Sequence, residues 1–272
     1  MAFPFRRGNL LMFRIVHNLG GCGGTLLSRC LGVLPSVALL SEINPLSVKL
    51  FDQFNPLFQD RHWLHLLGNS DIERFSNADL AEPGVFRELI QVFHDRCETR
   101  GISLVLRDYN YIDFIGVPFI DRPPRRRILC DALPPHIPVR AVALIRHPID
   151  QWLSLCKHTE VNTVLTPSDF LAAYLAFLSD LGDTPVFRYE DFVRNPAVEM
   201  SRICENLDLE FDPSCVERFA DFDNVTGDFS RQKERDISFA KRKAAPTPVI
   251  GKFSSDDRLR RILAQTDYSL PP

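Results

Sequence analysis

Four of the chain's 13 glycines, Gly20, Gly21, Gly23 and Gly24, fall within five consecutive positions. Uniform scatter would put about a quarter of one glycine in such a window. The cluster separates two segments of opposite character. Leu10 to Val16 is a nearly continuous apolar run, the pattern of a strand buried on both faces. Thr25 to Leu31 places apolar residues at helical spacing until Gly32 and Pro35 stop it. Strand, glycine turn and helix in that order aim several backbone N–H groups at one point, where the helix dipole also favours negative charge. Gly20 to Thr25 is therefore a candidate cradle for a phosphate or sulfate. The competing reading is a tight turn that needs glycine for positive φ and binds nothing. The GxxxxGK[ST] pattern is not met, because Gly24 precedes Thr25, and this weighs against a hydrolase that sets a lysine on the β- and γ-phosphates.

Further along, strands and helices alternate. Val37 to Leu40 reads as a short strand ending at Ser41-Glu42, and Val85 to Arg100 as an amphipathic helix closed by Gly101. Ile102 to Leu106, Val139 to Ile145 and Pro185 to Tyr189 read as further strands. Helices are expected from Pro148, Pro167 and Pro196, to about Cys156, Leu181 and Leu207, since proline suits the first helical turn, and a last one over 255–265. Asp121 to Arg127 reads as an exposed loop. This order predicts an α/β fold with a central, mostly parallel sheet between helical layers, and ligands beyond the carboxyl ends of the strands. One domain over 1–272 is expected, with 45–85 and 221–250 as capping segments.

A formal charge of −3 and a pI near 6.2 argue against a general nucleic-acid binder, so an anionic ligand has to be held locally. No signal peptide and no membrane span are read. Seven cysteines without a CxxC pair suggest neither a disulfide framework nor a zinc knuckle, which fits a reducing cytoplasm. His62 and His65 lack a third ligand, so no metal site is read.

A second anion signal stands in Ile145 to Ser154, where Arg146 leaves a strand end and Ser154 lies on the following helix. A guanidinium and a hydroxyl can grip one phosphate from two sides; the alternative is that Arg146 caps or pairs locally. Gly21-Cys22-Gly23-Gly24-Thr25-Leu26-Leu27, together with Arg146 and Ser154 and the later Phe187-Arg-Tyr-Glu-Asp-Phe192, resembles the signature segments of the sulfotransferases. The resemblance spans about residues 10–45, 100–160 and 184–200. It implies a P-loop-like α/β fold and use of 3′-phosphoadenosine 5′-phosphosulfate, with 3′,5′-adenosine bisphosphate as product. By the same resemblance Gly21 to Leu26 bind the 5′-phosphosulfate, Arg146 and Ser154 bind the 3′-phosphate, and Arg231 in the late basic loop contacts the nucleotide.

The departures from the family pattern fall in the loop. Gly21 stands where relatives commonly carry Lys or Arg, Cys22 where they carry Ser, and Gly24 where they carry Thr. Another cation then has to stabilise the leaving oxygen, and Arg107, at the end of the 102–106 strand, matches the position where relatives place one. Tyr109 stands where some relatives have a catalytic His, and a phenol is a poor base at neutral pH. Glu42 lies 17 residues after Thr25, the separation at which tyrosylprotein-type relatives carry a glutamate base; on its own it equally reads as a helix cap or an arginine partner. The expected activity is sulfuryl transfer to a hydroxyl or amine of a small-molecule or carbohydrate acceptor. The alternatives are a sulfotransferase-like binding protein without catalysis and a nucleotide-dependent P-loop phosphotransferase. Oligomeric state is not legible.

Overall fold

The computed structural model describes residues 12–227, 237 and 246–270. Five strands form one sheet: β1 (Phe13–Asn18), β2 (Val37–Ile43), β3 (Ser103–Asp108), β4 (Val139–Ile145) and β5 (Val186–Arg188). Their order is β2-β3-β1-β4-β5 and every described pairing is parallel, so the expected α/β sheet is parallel throughout. The helices that matter for the site are α1 (Gly24–Gly32), α2 (Pro83–Thr99), α3 (Pro148–Leu155), α4 (Pro167–Leu181), α5 (Pro196–Leu207) and α6 (Asp257–Thr266).

Alternation along the strands sorts the side chains into two layers. Phe13, Ile15, Leu104 and Leu106 pack with Phe86, Leu89, Ile90 and Phe93 of α2. Val16, Val105, Val142 and Leu144 face the other way, against Leu27 and Leu31 of α1 and Met200 and Ile203 of α5. Each of these side chains contributes about 1.5–3 kcal/mol by leaving water. Helix α2 ends as its sequence implies: Gly101 takes φ 68, and the N–H groups of Gly101 and Ile102 bond back to the carbonyls of Glu98 and Cys97. Arg14, buried within β1, donates from Nε to the Leu207 carbonyl at 2.9 Å and so satisfies the open end of α5.

Two strands run farther than their apolar runs. β1 continues two residues past Val16, because the polar His17 and Asn18 are buried in hydrogen bonds rather than exposed. β2 continues past Leu40 to Ile43 through a register shift, a β-bulge that puts Glu42 at φ 52. Residues 45–85 hold short helical pieces at Asp52–Phe54, Pro56–Gln59, Asp60–Leu64 and Asn69–Ser76. No helix among the described residues is long and apolar enough to cross a membrane.

Candidate active site

The turn from β1 to α1 needs glycine for two different reasons. Gly21 and Gly23 sit at φ 77 and 97, the left-handed region. A Cβ on Gly23 would also lie 2.3 Å from the Tyr189 ring, and one on Gly24 only 2.5 Å from Asn18 Oδ1. Helix α1 starts without a side-chain cap or an acidic residue, and the first-turn N–H groups of Gly24, Thr25 and Leu26 have no intrahelical acceptor. Those of Thr25 and Leu26 are open to an anion, while that of Gly24 also meets the Cys22 sulfur. Cys22 turns into the core, where burial pushes its thiol up to about 11, so only its backbone can take part.

Beneath the loop lie Asn18 and Arg107, on the α1 face of the sheet by strand alternation. Arg107 donates from Nε to Asn18 Oδ1 (3.2 Å), from Nη1 to the Thr226 carbonyl (3.1 Å) and Thr25 Oγ1 (3.4 Å), and from Nη2 to Glu42 Oε1 (2.8 Å). A guanidinium has five N–H donors. Four are engaged, and the fifth sits on Nη2 beside the Glu42 carboxylate. Glu42 is therefore paired with an arginine, as one sequence reading allowed, and also placed in the cavity, as the other required.

Glu42 is held from its other oxygen as well. A carboxylate only accepts, so the single hydroxyl hydrogen of Thr226 goes to Glu42 Oε2 (2.7 Å). Ser41 is then the donor to Thr226 Oγ1 (2.9 Å), and the Ser41 oxygen accepts the Thr226 N–H (3.1 Å). A residue 184 positions away thus fixes the direction of every hydrogen around the carboxylate.

The second grip forms across the cavity. Arg146, leaving β4, donates from Nη1 to the Gly21 carbonyl (3.1 Å) and lies 4.8 Å above the Tyr189 ring. Ser154, on α3, lines the same cavity, of about 330 Å³, which lies within the range of ~300–1,000 Å³ usual for small-ligand sites. The structure brings Gly21, Gly23, Gly24, Thr25 and Leu26 together with Glu42, Arg107, Arg146 and Ser154 around this one space. Arg231 lies outside the described residues.

On the opposite sheet face, a wholly buried polar cluster backs the site. Asp108 accepts from Asn110 Nδ2 (2.7 Å), and Asn44 Nδ2 donates to Asp113 (3.0 Å). His17 Nδ1 meets Asp108 at 3.1 Å, and its Nε2 lies 3.8 Å from the Cys130 sulfur. Burial drives His17 down to about 3 and the Cys130 thiol up to about 12, so this Cys-His-Asp alignment is uncharged at thiol and imidazole and inert as a nucleophile. Burial also raises both carboxyls, Asp113 further because Asp108 lies beside it. His17 and Asp108 adjoin Asn18 and Arg107 in the chain and Asn44 lies two residues past Glu42, so the cluster ties together the three strand ends that carry the site.

Neither a family model nor a curated relative matches the sequence. Among solved structures, the chain is similar to the sulfotransferase domain from the Synechococcus PCC 7002 olefin synthase, with TM-score 0.59 and 16% identity over 95% of each chain. It is also similar to the sulfotransferase domain from the curacin biosynthetic pathway, with TM-score 0.56 and 19% identity over 96% of this chain and 99% of that one. Its fold is the sulfotransferase fold. Within the sulfotransferase fold, three residues beyond the candidate set stand at the site: Asn18, Tyr189 and Thr226. Tyr189 belongs to the Tyr-Glu-Asp segment and was legible as a motif. Thr226 opens the Thr-Gly-Asp stretch that the resemblance sets where the late basic loop closes over the nucleotide, whereas Asn18 carries no local signal.

Proposed function

We propose that this chain transfers a sulfuryl group from 3′-phosphoadenosine 5′-phosphosulfate to a hydroxyl or amine acceptor. The observation that carries the reading is Arg107, whose one uncommitted N–H lies beside Glu42 under the glycine loop. The site fits such a donor. The loop glycines let the backbone close onto Tyr189 and Asn18, the first-turn N–H groups have no intrahelical acceptor, and a second arginine stands across the cavity. The donor, when bound, supplies a sulfur already joined to a phosphate leaving group.

Thr25 and the first-turn N–H groups would hold the 5′-phosphosulfate, and Arg146 with Ser154 the 3′-phosphate. Glu42 takes the acceptor proton as the acceptor oxygen or nitrogen bonds to sulfur, and Arg107 steadies the charge on the phosphate oxygen as its bond to sulfur breaks. The proton then passes from Glu42 to solvent and the bisphosphate leaves. Tyr109 stays protonated, since burial and the Glu42 charge push its phenol up, so it serves as a donor and not as a base. All seven cysteines are free thiols, which supports a reducing compartment such as the cytoplasm.

Thermal unfolding with added nucleotide tests the reading. At a hundredfold excess over Kd, 3′,5′-adenosine bisphosphate should stabilise the fold by about 2.7 kcal/mol and raise the midpoint by several degrees, while ATP at equal concentration does little. Arg146→Ala should remove most of the shift. Equal stabilisation by ATP, or none by either, would overturn the proposal.

A further inference from the structure

The peptide between Arg146 and His147 lies past the end of β4, and side chains from two other parts of the chain hold it. Tyr174, on α4, donates its hydroxyl to the Arg146 carbonyl (2.9 Å), and Glu190 Oε1 accepts the His147 N–H (2.9 Å). A peptide unit is planar, so fixing its oxygen and its N–H fixes the plane and the direction in which Arg146 presents its side chain. Glu190 directly follows Tyr189, the ring over which the Arg146 guanidinium lies, and His147 is the residue from which α3, the carrier of Ser154, starts.

Glu190 is itself held from far along the chain. Its Oε2 accepts the Tyr268 hydroxyl at 2.6 Å, across 78 positions. Tyr268 reaches it because α6 ends at Asp267, whose left-handed backbone, φ 54, turns the chain toward β5. There Arg188 Nη1 donates to the Asp267 carbonyl (2.9 Å), and the Arg188 guanidinium lies 5.6 Å from the Tyr268 ring centroid. The His147 ring meets Tyr268 edge-on at 5.4 Å, and His147 Nε2 donates to the Ser269 carbonyl (3.1 Å). Leu259 and Ile262 of α6 share a core with Phe170 and Tyr174 of α4. The two hydroxyls that govern the Arg146–His147 peptide, one directly and one through a carboxylate, thus come from helices packed in one layer.

We infer that Tyr268 is a positioning residue for the 3′-phosphate: its hydroxyl aims the Glu190 carboxylate at the His147 N–H and so sets Arg146 over Tyr189 and the start of α3. This rests on the donor reading above, in which Arg146 and Ser154 take that phosphate. A carboxylate accepting hydrogens on both oxygens has one orientation that serves both donors. Without the phenol hydrogen Glu190 is free to turn toward water, the N–H end of the peptide loses its fixed acceptor, and Arg146 meets the phosphate from a wider set of directions. The cost falls on the grip of the 3′-phosphate and not on the bond-making groups, Glu42 and Arg107.

Calorimetry on the full chain with two nucleotides that differ by one phosphate tests this. The ratio of the Kd of adenosine 5′-monophosphate to that of 3′,5′-adenosine bisphosphate measures what the 3′-phosphate adds. Coupling free energies between distinct sites commonly correspond to about 5–150-fold in affinity. Tyr268→Phe, which keeps the ring and removes the hydroxyl, should lower the ratio by at least about fivefold with the monophosphate bound as in the wild type. Glu190→Ala should lower it as far, and Glu190→Gln, which retains an acceptor for the His147 N–H, should keep most of it. A merely structural role would weaken both nucleotides alike or shift only the midpoint of thermal unfolding. The inference is overturned by a phenylalanine variant with the wild-type ratio, by one that loses both nucleotides equally, or by a glutamine variant as poor as the alanine one. A wild type that binds neither nucleotide overturns the donor reading itself, and one that binds both equally overturns the assignment of Arg146 and Ser154 together with the role of Tyr268.

Discussion

Glu42 is in the left-handed region without being glycine, a conformation that costs a non-glycine residue about 1–3 kcal/mol. The bulge that imposes it turns the carboxylate onto Arg107 and Thr226, so the local strain is offset by two hydrogen bonds to a charged group. If the carboxylate accepts the acceptor proton, Glu42→Gln should lower transfer from radiolabelled donor by about 10²–10⁴-fold and leave bisphosphate affinity within a few-fold. A variant with undiminished transfer removes Glu42 from the chemistry, and a wild type that binds bisphosphate yet transfers nothing assigns the chain to the non-catalytic binding class. The glycine at 24 has a cause at the same scale. Asn18 Oδ1 occupies the volume into which a side chain there would point and uses that position to hold Arg107 Nε. The side chain missing at position 24 is thus matched by one in the preceding strand, which in turn orients Arg107, the cation proposed for the leaving oxygen. From the sequence, Gly24 was visible as an excess glycine and Arg107 as a candidate cation; that Asn18 links them is a property of packing across 89 positions.

At the scale of elements, Thr226 belongs to a stretch that crosses the glycine loop from the far end of the chain. It gives its hydroxyl to Glu42 and its carbonyl to Arg107, and Gly227, at φ 112, leaves no room for a Cβ beside Thr25 Oγ1. Replacing Thr226 by valine keeps the shape and removes the hydroxyl, leaving Ser41 and Glu42 each short of a partner. Urea unfolding should then show a loss of about 1–3 kcal/mol, and transfer should slow with the donor's half-saturation unchanged. Thr226→Ser should restore the rate; a serine variant as slow as the valine one would show that the hydroxyl does not aim Glu42. Helices α3, α4 and α5 were readable because each begins at a proline in the first turn, a signal carried by one residue. Residues 45–85 were not. Their helical pieces are too short to show a period and are held by distant bonds, such as Gln59 bridging the N–H and carbonyl of Ser41 and Asp60 taking the N–H of Leu66.

Across the whole molecule, the buried cluster behind the site couples protons to folding. Asp108 and Asp113 are raised in the folded state by burial and by each other, so their stabilising share is complete below the usual carboxylate range and is lost as the pH rises through their elevated values. His17, depressed to about 3, acts from the other side and costs stability as the pH falls below about 6.5, where the unfolded imidazole binds a proton. Asp113→Asn removes the larger alkaline loss. From about pH 5 to about pH 9 the unfolding free energy of the asparagine variant should therefore fall less than that of the wild type. Parallel curves in urea titrations would show that the pair does not titrate as a buried unit. None of this was visible beforehand, since nothing local in the sequence marks Asp108 or Asp113 for burial.

The strand order has a kinetic meaning. With β1 in the centre, the groups proposed for bond making and breaking come from β2 and β3 on one flank, and those proposed to hold the 3′-phosphate come from β4 and the helix after it on the other. On the proposed function, turnover and donor affinity are thereby assigned to separate halves of one sheet, joined through β1 and the glycine loop that leaves it. Such a molecule can have its acceptor chemistry altered on one flank while its grip on the nucleotide is inherited intact from the other.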